Sequence, residues 1–106
     1  MITVRFLKSG CDLLGYEISG HADCDDYGRD IVCASVSSAA YMTANTITEI
    51  LGVGAECEVD ESGRMKILLT GKVKSAVDII KGFELHMNSL MEDYPDNINV
   101  IYGGVE

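Results

Sequence analysis

The order in which two hydrophobic periods follow one another constrains the fold of this chain more than any other feature. In residues 2–7 the apolar side chains Ile2, Val4 and Phe6 alternate with polar ones, which is the period of a half-buried strand. Turn residues at 8–12 separate this run from a second one, so the two runs predict a β-hairpin. The full set of predicted strands is 2–7, 13–19, 55–60, 65–70 and 98–102.

Two long stretches have helical spacing instead. Residues 30–51 and 72–94 each carry an apolar stripe near a period of 3.6 residues, and Gly52 and Pro95 follow their ends. The order is therefore ββαββαβ, which predicts an α+β fold with one mostly antiparallel sheet and two helices, as a single domain over residues 1–106. The stripe predicted for the first helix consists of Ile31, Ala34, Val36, Ala40 or Tyr41, Ala44, Ile47 and Leu51.

The charge balance argues against several classes of partner. The chain has 8 basic and 17 acidic residues, a formal net charge of −9, so we expect no direct binding of nucleic acid, whose phosphates are recognised by basic side chains. A basic peptide would be attracted to it. No signal peptide or membrane span is evident, which predicts a cytoplasmic protein with no membrane association.

Four cysteines lie at positions 11, 24, 33 and 57 and form no CxxC pair, so we expect neither a metal site nor a cofactor. In a reducing compartment most of them should be free thiols. Cys57 alternates with Ala55 and Val59 in a predicted strand and is expected to be buried and inert. Cys11 lies in a turn and is assigned no role.

The candidate catalytic pair is His21 and Cys33. Asp30 is a good N-cap residue, which would place Ile31 first in the helix and Cys33 third. A thiol in the first turn is close to the positive end of the helix dipole, which favours the thiolate. An imidazole within reach could take its proton.

The neighbouring residues suggest supporting roles. Gly20 permits a close backbone approach beside the histidine, and the polar segment 22–29, which starts at Ala22, is predicted to be a mobile loop that could close over a substrate. Tyr27 and Gly28 would flank its hinge. Asp30 could orient the histidine or serve only as the N-cap, and Ser37 shares the face of Cys33 and could hold a substrate carbonyl or only pack. Cys24, in the same loop, could form a disulfide with the nucleophile.

The motif Gly20-His21-Ala22, together with Gly28 and the run Asp30-Ile31-Val32-Cys33-Ala34 with Ser37, resembles the ribosomal-processing cysteine protease Prp family. The resemblance covers nearly the whole chain. It implies a homodimeric endopeptidase that removes a short N-terminal extension from the precursor of large-subunit ribosomal protein twenty-seven, with His21 as the base and Cys33 as the nucleophile. Cys24 and Ser35 depart from the family pattern.

Two other interpretations remain open. The chain could be a non-catalytic ribosome-assembly or interaction module in which Cys33 is a buried helix residue. It could also be a thiol redox sensor that uses Cys24 and Cys33. Rapid labelling of Cys33 near neutral pH, slowed by replacement of His21, would favour the enzyme.

Overall fold

The structure is a computed structural model that describes residues 1–20 and 27–105, with the backbone alone for residues 27–30. The predicted order ββαββαβ is confirmed in these ranges. The elements are β1 Ile2–Ser9, β2 Asp12–Ser19, α1 Tyr27–Asn45, β3 Ala55–Val59, β4 Met65–Leu69, α2 Lys74–Asp93 and β5 Ile98–Gly104. A π-helical segment, Thr46–Ile50, continues α1.

The five strands form one mixed sheet in the order β3-β4-β2-β1-β5. The hairpins β1–β2 and β3–β4 are antiparallel, and so is the pairing of β2 with β4 that joins them. Only β5 pairs in parallel, with β1. The prediction of a mostly antiparallel sheet is therefore confirmed.

One face of the sheet carries the core. Phe6 on β1 and Tyr16 on β2 are fully buried on this face, next to Phe83 of α2. The ring centroids of Tyr16 and Phe83 are 4.3 Å apart, and those of Phe6 and Phe83 are 5.8 Å apart. Aromatic contacts at these separations add to the free energy of burial, so this cluster holds α2 against the centre of the sheet.

The start of α1 and its buried face differ from the prediction. The helix begins at Tyr27, so Asp30 is a helical residue and its assignment as N-cap was wrong. Gly28 suggested a loop because glycine is a poor helix former, but it lies within the first turn. The face of α1 and the π-helical segment that packs in the core consists of Val32, Cys33, Val36, Ala40, Ala44 and Ile47.

Two expectations about burial were also wrong. Ile31 is 49% exposed and Leu51 is 38% exposed, because the face of α1 that packs in the core runs through Val32, Cys33 and Val36 instead. Cys57 is exposed, not buried. It lies on β3, which is the outer strand of the sheet and has a neighbouring strand, β4, along one edge only. Cys11 is exposed in the β1–β2 turn.

Neither of the long helices described is apolar enough along its length to cross a membrane.

Candidate active site

Gly20, whose backbone conformation is constrained, connects the end of β2 to the candidate histidine. Gly20 has a φ of +84°, a conformation that L side chains rarely adopt, and a Cβ added there would collide with the carbonyl oxygen of Met1. The backbone of Met1 therefore approaches Gly20 closely. His21 and Ala22 follow directly, and both lie outside the described residues.

Cys33 is the seventh residue of α1, one turn further into the helix than predicted. The influence of the helix dipole falls off within the first turn, so it activates this thiol less than a position next to the N-terminus would. The side chain is only 7% exposed and belongs to the core cluster together with Val32 and Val36. Its sulfur is disulfide-bonded in this structure. Nucleophilic chemistry at Cys33 therefore requires both reduction and access.

The remaining candidates are distributed over the first three turns of α1. Tyr27, Gly28 and Asp30 contribute helical backbone. Ser37 is half-buried one turn after Cys33, so the predicted common face is consistent with the observed helix. Ser35, the other departure from the family pattern, donates a hydrogen bond of 2.9 Å to the carbonyl of Ile31 and so satisfies its hydroxyl within the helix.

One buried hydrogen bond fastens this helix to the strand that leads to His21. The Tyr16 hydroxyl on β2 donates to the carbonyl oxygen of Ala40 on α1 at 2.7 Å. Burial, together with the nearby Cys57, raises the pKa of Tyr16, and the hydroxyl therefore stays a donor at any physiological pH. Because β2 ends at Ser19, directly before Gly20, the same strand fixes the position of α1 and the point at which the chain enters the candidate site.

The structure also shows a surface groove that the sequence analysis did not anticipate. Met42 of α1 and Phe83 of α2 line an apolar groove of about 230 Å³ between the two helices. His86 is exposed and also lines this groove. The sequence offered one indication of this groove, since Met42 is an apolar residue of the first helix that lies outside the predicted stripe.

Within residues 1–20 and 27–105, no group of three or more His, Cys, Asp or Glu side chains is arranged to hold a metal ion.

Comparison with known proteins identifies the family. The sequence model of the family described as cysteine protease Prp matches residues 1–99. The ribosomal processing cysteine protease Prp of Bacillus subtilis is 26% identical over 94 residues, which cover 83% of this chain and 84% of that protein.

Solved structures extend the likeness to three dimensions. The SMU.848 protein of Streptococcus mutans superimposes with a TM-score of 0.88 at 26% identity, covering 98% of this chain and 95% of that one. The essential ribosomal processing protease Prp of S. aureus, in complex with a covalently linked product peptide, gives a TM-score of 0.85 at 26% identity, covering 97% of this chain and all of the other. The chain therefore belongs to the cysteine protease Prp family and is a cysteine protease.

Proposed function

We propose that this chain is an endopeptidase that removes the N-terminal extension of the precursor of large-subunit ribosomal protein twenty-seven, and that it thereby supports ribosome assembly. The observation that carries the proposal is the match over 97% of this chain to an S. aureus ribosomal processing protease that holds a covalently linked product peptide. A second structure of that enzyme contains a substrate peptide. A cysteine protease with this fold can therefore hold a peptide.

In the proposed mechanism Cys33 is the nucleophile and His21 is the base. His21 accepts the thiol proton, and the thiolate attacks the carbonyl carbon of the scissile peptide bond. The C–N bond then breaks as His21 returns the proton to the leaving amine, which leaves the acyl group on Cys33 as a thioester. Water attacks the thioester and regenerates the thiol. Backbone N–H groups near Cys33 would stabilise the oxyanion.

The other candidate residues have proposed positioning roles. Asp30 would orient the imidazole of His21, and Ser37 would hold a substrate carbonyl. Ordering of residues 22–28 over the bound peptide, with Tyr27 and Gly28 at the hinge, would exclude water and bring His21 to Cys33. Residues 22–26 lie outside the described ranges, while Tyr27 and Gly28 form the start of α1, so the hinge would coincide with the helix terminus.

The low exposure of Cys33 is the feature that the non-catalytic interpretation expected. A residue that is 7% exposed offers little surface to a substrate, and local opening of the structure would increase its access. Membership of a protease family favours a thiol that is uncovered during the catalytic cycle over an inert core residue.

We further propose a cytoplasmic homodimer. A chain of 106 residues buries a limited core, and self-association through an apolar helix face or an outer strand is a common remedy. Sedimentation equilibrium at micromolar concentration should give twice the 11.5 kDa of the single chain. A mass of one chain would contradict the dimer.

Cleavage of the precursor tests the proposed function. We expect the reduced protein to release the N-terminal extension from the purified precursor, seen as two product masses, and Cys33→Ala to release none. His21→Ala should lower turnover by about 10²-fold, the usual scale of acid–base catalysis. Cys57→Ala, which changes an exposed cysteine on β3, should cleave normally. Cleavage by Cys33→Ala would contradict the assignment.

A further inference from the structure

The outer edge of β3 presents unused backbone groups. β3 is the terminal strand of the sheet and pairs only with β4 among the described elements. Thr70 donates to the carbonyl of Gly54, and Asp60 donates to the carbonyl of Arg64, each at 3.0 Å. Backbone groups alternate in direction along an antiparallel strand. The even-numbered residues of β3 therefore bond to β4, while N–H and C=O groups at 55, 57 and 59 point away from the sheet.

A ladder of alternating charge runs across the open face of the sheet and ends at this edge. Arg5 pairs in register with Glu17, Glu17 with Lys66, and Lys66 with Glu58 of β3. Arg64 also forms an ion pair with Glu17. The ladder is thus positive, negative, positive and negative from β1 to β3. A strand added beyond β3 would continue the alternation by placing a cation opposite Glu58.

The charges on β3 also select against a second copy of the same strand. Glu56 and Glu58 flank Cys57 and are both exposed, and neither forms an ion pair within the described ranges. Antiparallel pairing of two β3 strands about Cys57 would place Glu56 of each opposite Glu58 of the other. Like charges directly opposite one another are destabilising, so self-pairing is disfavoured at the same edge that suits a basic strand.

The opposite edge of the sheet lacks this selectivity. β5 consists of Ile98–Gly104 and contains no charged residue. An extended segment could meet its backbone, but no side chain of the strand would prefer a basic partner to an acidic one. The charge pattern therefore distinguishes β3 from β5 as a place for a charged ligand.

We propose that the outer edge of β3 binds an extended, basic segment of another protein by strand addition. Basic side chains spaced two residues apart in the segment would pair with Glu56 and Glu58, and its backbone would bond the outward groups of Ala55, Cys57 and Val59. The edge lies on β3, whereas Cys33 lies on α1, and binding here requires no peptidase activity.

Amide hydrogen exchange on the full chain tests the proposal. The probe is a peptide of alternating lysine and threonine, added to the Cys33→Ala variant so that cleavage cannot consume it. We expect the amides of Ala55, Cys57 and Val59 to exchange about tenfold more slowly with the peptide. The amides of Glu56 and Glu58 should change little because they already bond to β4. A peptide of alternating glutamate and threonine should protect none of them.

Two sets of variants separate the charge from the backbone contribution. Glu56→Gln combined with Glu58→Gln should weaken binding of the lysine peptide about tenfold, since two cross-strand ion pairs are lost. Glu49→Gln combined with Glu92→Gln removes the same charge from exposed residues of other elements and should leave a smaller effect.

Cys57→Pro removes an outward N–H, and proline is tolerated at this kind of edge position. It should abolish binding, whereas Cys57→Ala should not. If Cys57→Pro fails to fold, the glutamine variants decide. The proposal would be overturned if both peptides protected β3 equally or if the lysine peptide protected β5 instead. Protection of β3 by a higher protein concentration without any peptide would also overturn it.

Discussion

At the scale of single residues, Cys33 is both the candidate nucleophile and a residue of the core. It was identified as a candidate nucleophile from its position near a helix start, and its chemistry is supported by the family match. The structure places it on the core-facing side of α1, 7% exposed and disulfide-bonded. Burial limits access to the sulfur, and the disulfide occupies it. With Cys33 as the proposed nucleophile, we expect the oxidised protein to be inactive.

The first prediction concerns reduction. Protein purified without reductant should not cleave the precursor, and addition of a dithiol should restore cleavage, because only a thiolate attacks the carbonyl. Cys24→Ser tests the sequence-based hypothesis that Cys24 can form a disulfide with Cys33, and it should be active without reductant. Cys57→Ser is the matched control and should still need reductant. Full activity of the oxidised wild-type protein would refute this dependence.

The second prediction concerns Tyr16, whose hydroxyl ties β2 to α1. Tyr16→Phe should lower the free energy of unfolding by about 1 kcal/mol at neutral pH, the usual net value of one hydrogen bond. Tyr102→Phe removes an exposed hydroxyl that donates to Glu84 and should cost less. Chemical denaturation of the two variants gives the comparison. Equal losses would mean that the buried bond contributes nothing beyond an exposed one.

The pH dependence of the same variant gives a third prediction. Burial raises the pKa of Tyr16 above its ordinary value, so in alkali this tyrosine ionises first in the unfolded chain. Its contribution to stability is complete below about pH 10 and falls as the pH rises above that value. Tyr16→Phe should therefore lose less stability than wild type between neutral pH and pH 11, measured by denaturation at each pH. If the stability of the two proteins fell equally with pH, the raised pKa of Tyr16 would be contradicted.

At the scale of elements, periodicity predicted all five strands and both helices to within a few residues. The start of α1 was missed because Gly28 and the polar residues before it carry no apolar period, and a helix can extend through them once its later turns are packed. The end of α1 was predicted near Leu51, but the last turn is π-helical. Leu51 donates to the carbonyl of Thr46 at 2.9 Å, a detail that no hydrophobic pattern encodes.

The fourth prediction separates two costs at glycines. Gly10 and Gly20 both have positive φ, but a Cβ at Gly10 would meet nothing within 4 Å, whereas one at Gly20 would collide with the Met1 carbonyl. Gly10→Ala should cost about 1 kcal/mol for the backbone conformation alone. Gly20→Ala should cost at least about 1 kcal/mol more because the backbone must shift. Thermal unfolding of both variants measures the difference, and equal costs would show that the close approach to Met1 is not constraining.

At the scale of the whole molecule, the sequence predicted the order of elements but not the order of strands. β5 pairs in parallel with β1, and β3 is left at one edge of the sheet. This arrangement depends on how α2 packs on the sheet, where Phe83 of α2 contacts Phe6 and Tyr16. The exposure of Cys57 and the open acidic edge follow from that arrangement. The candidate pair, in contrast, could be proposed from the sequence because His21 and Cys33 lie in one short stretch of chain.

The most direct test of the account is to trap the acyl-enzyme. Reduced protein mixed with the precursor and quenched in acid within the first turnover should carry an adduct with the mass of the cleaved extension less one water. Peptide mapping should locate the adduct on Cys33. Cys57→Ala should form the adduct, and Cys33→Ala should not. Cleavage that proceeds with the adduct on another residue, or with no adduct in any variant, would contradict the claim that Cys33 is the nucleophile.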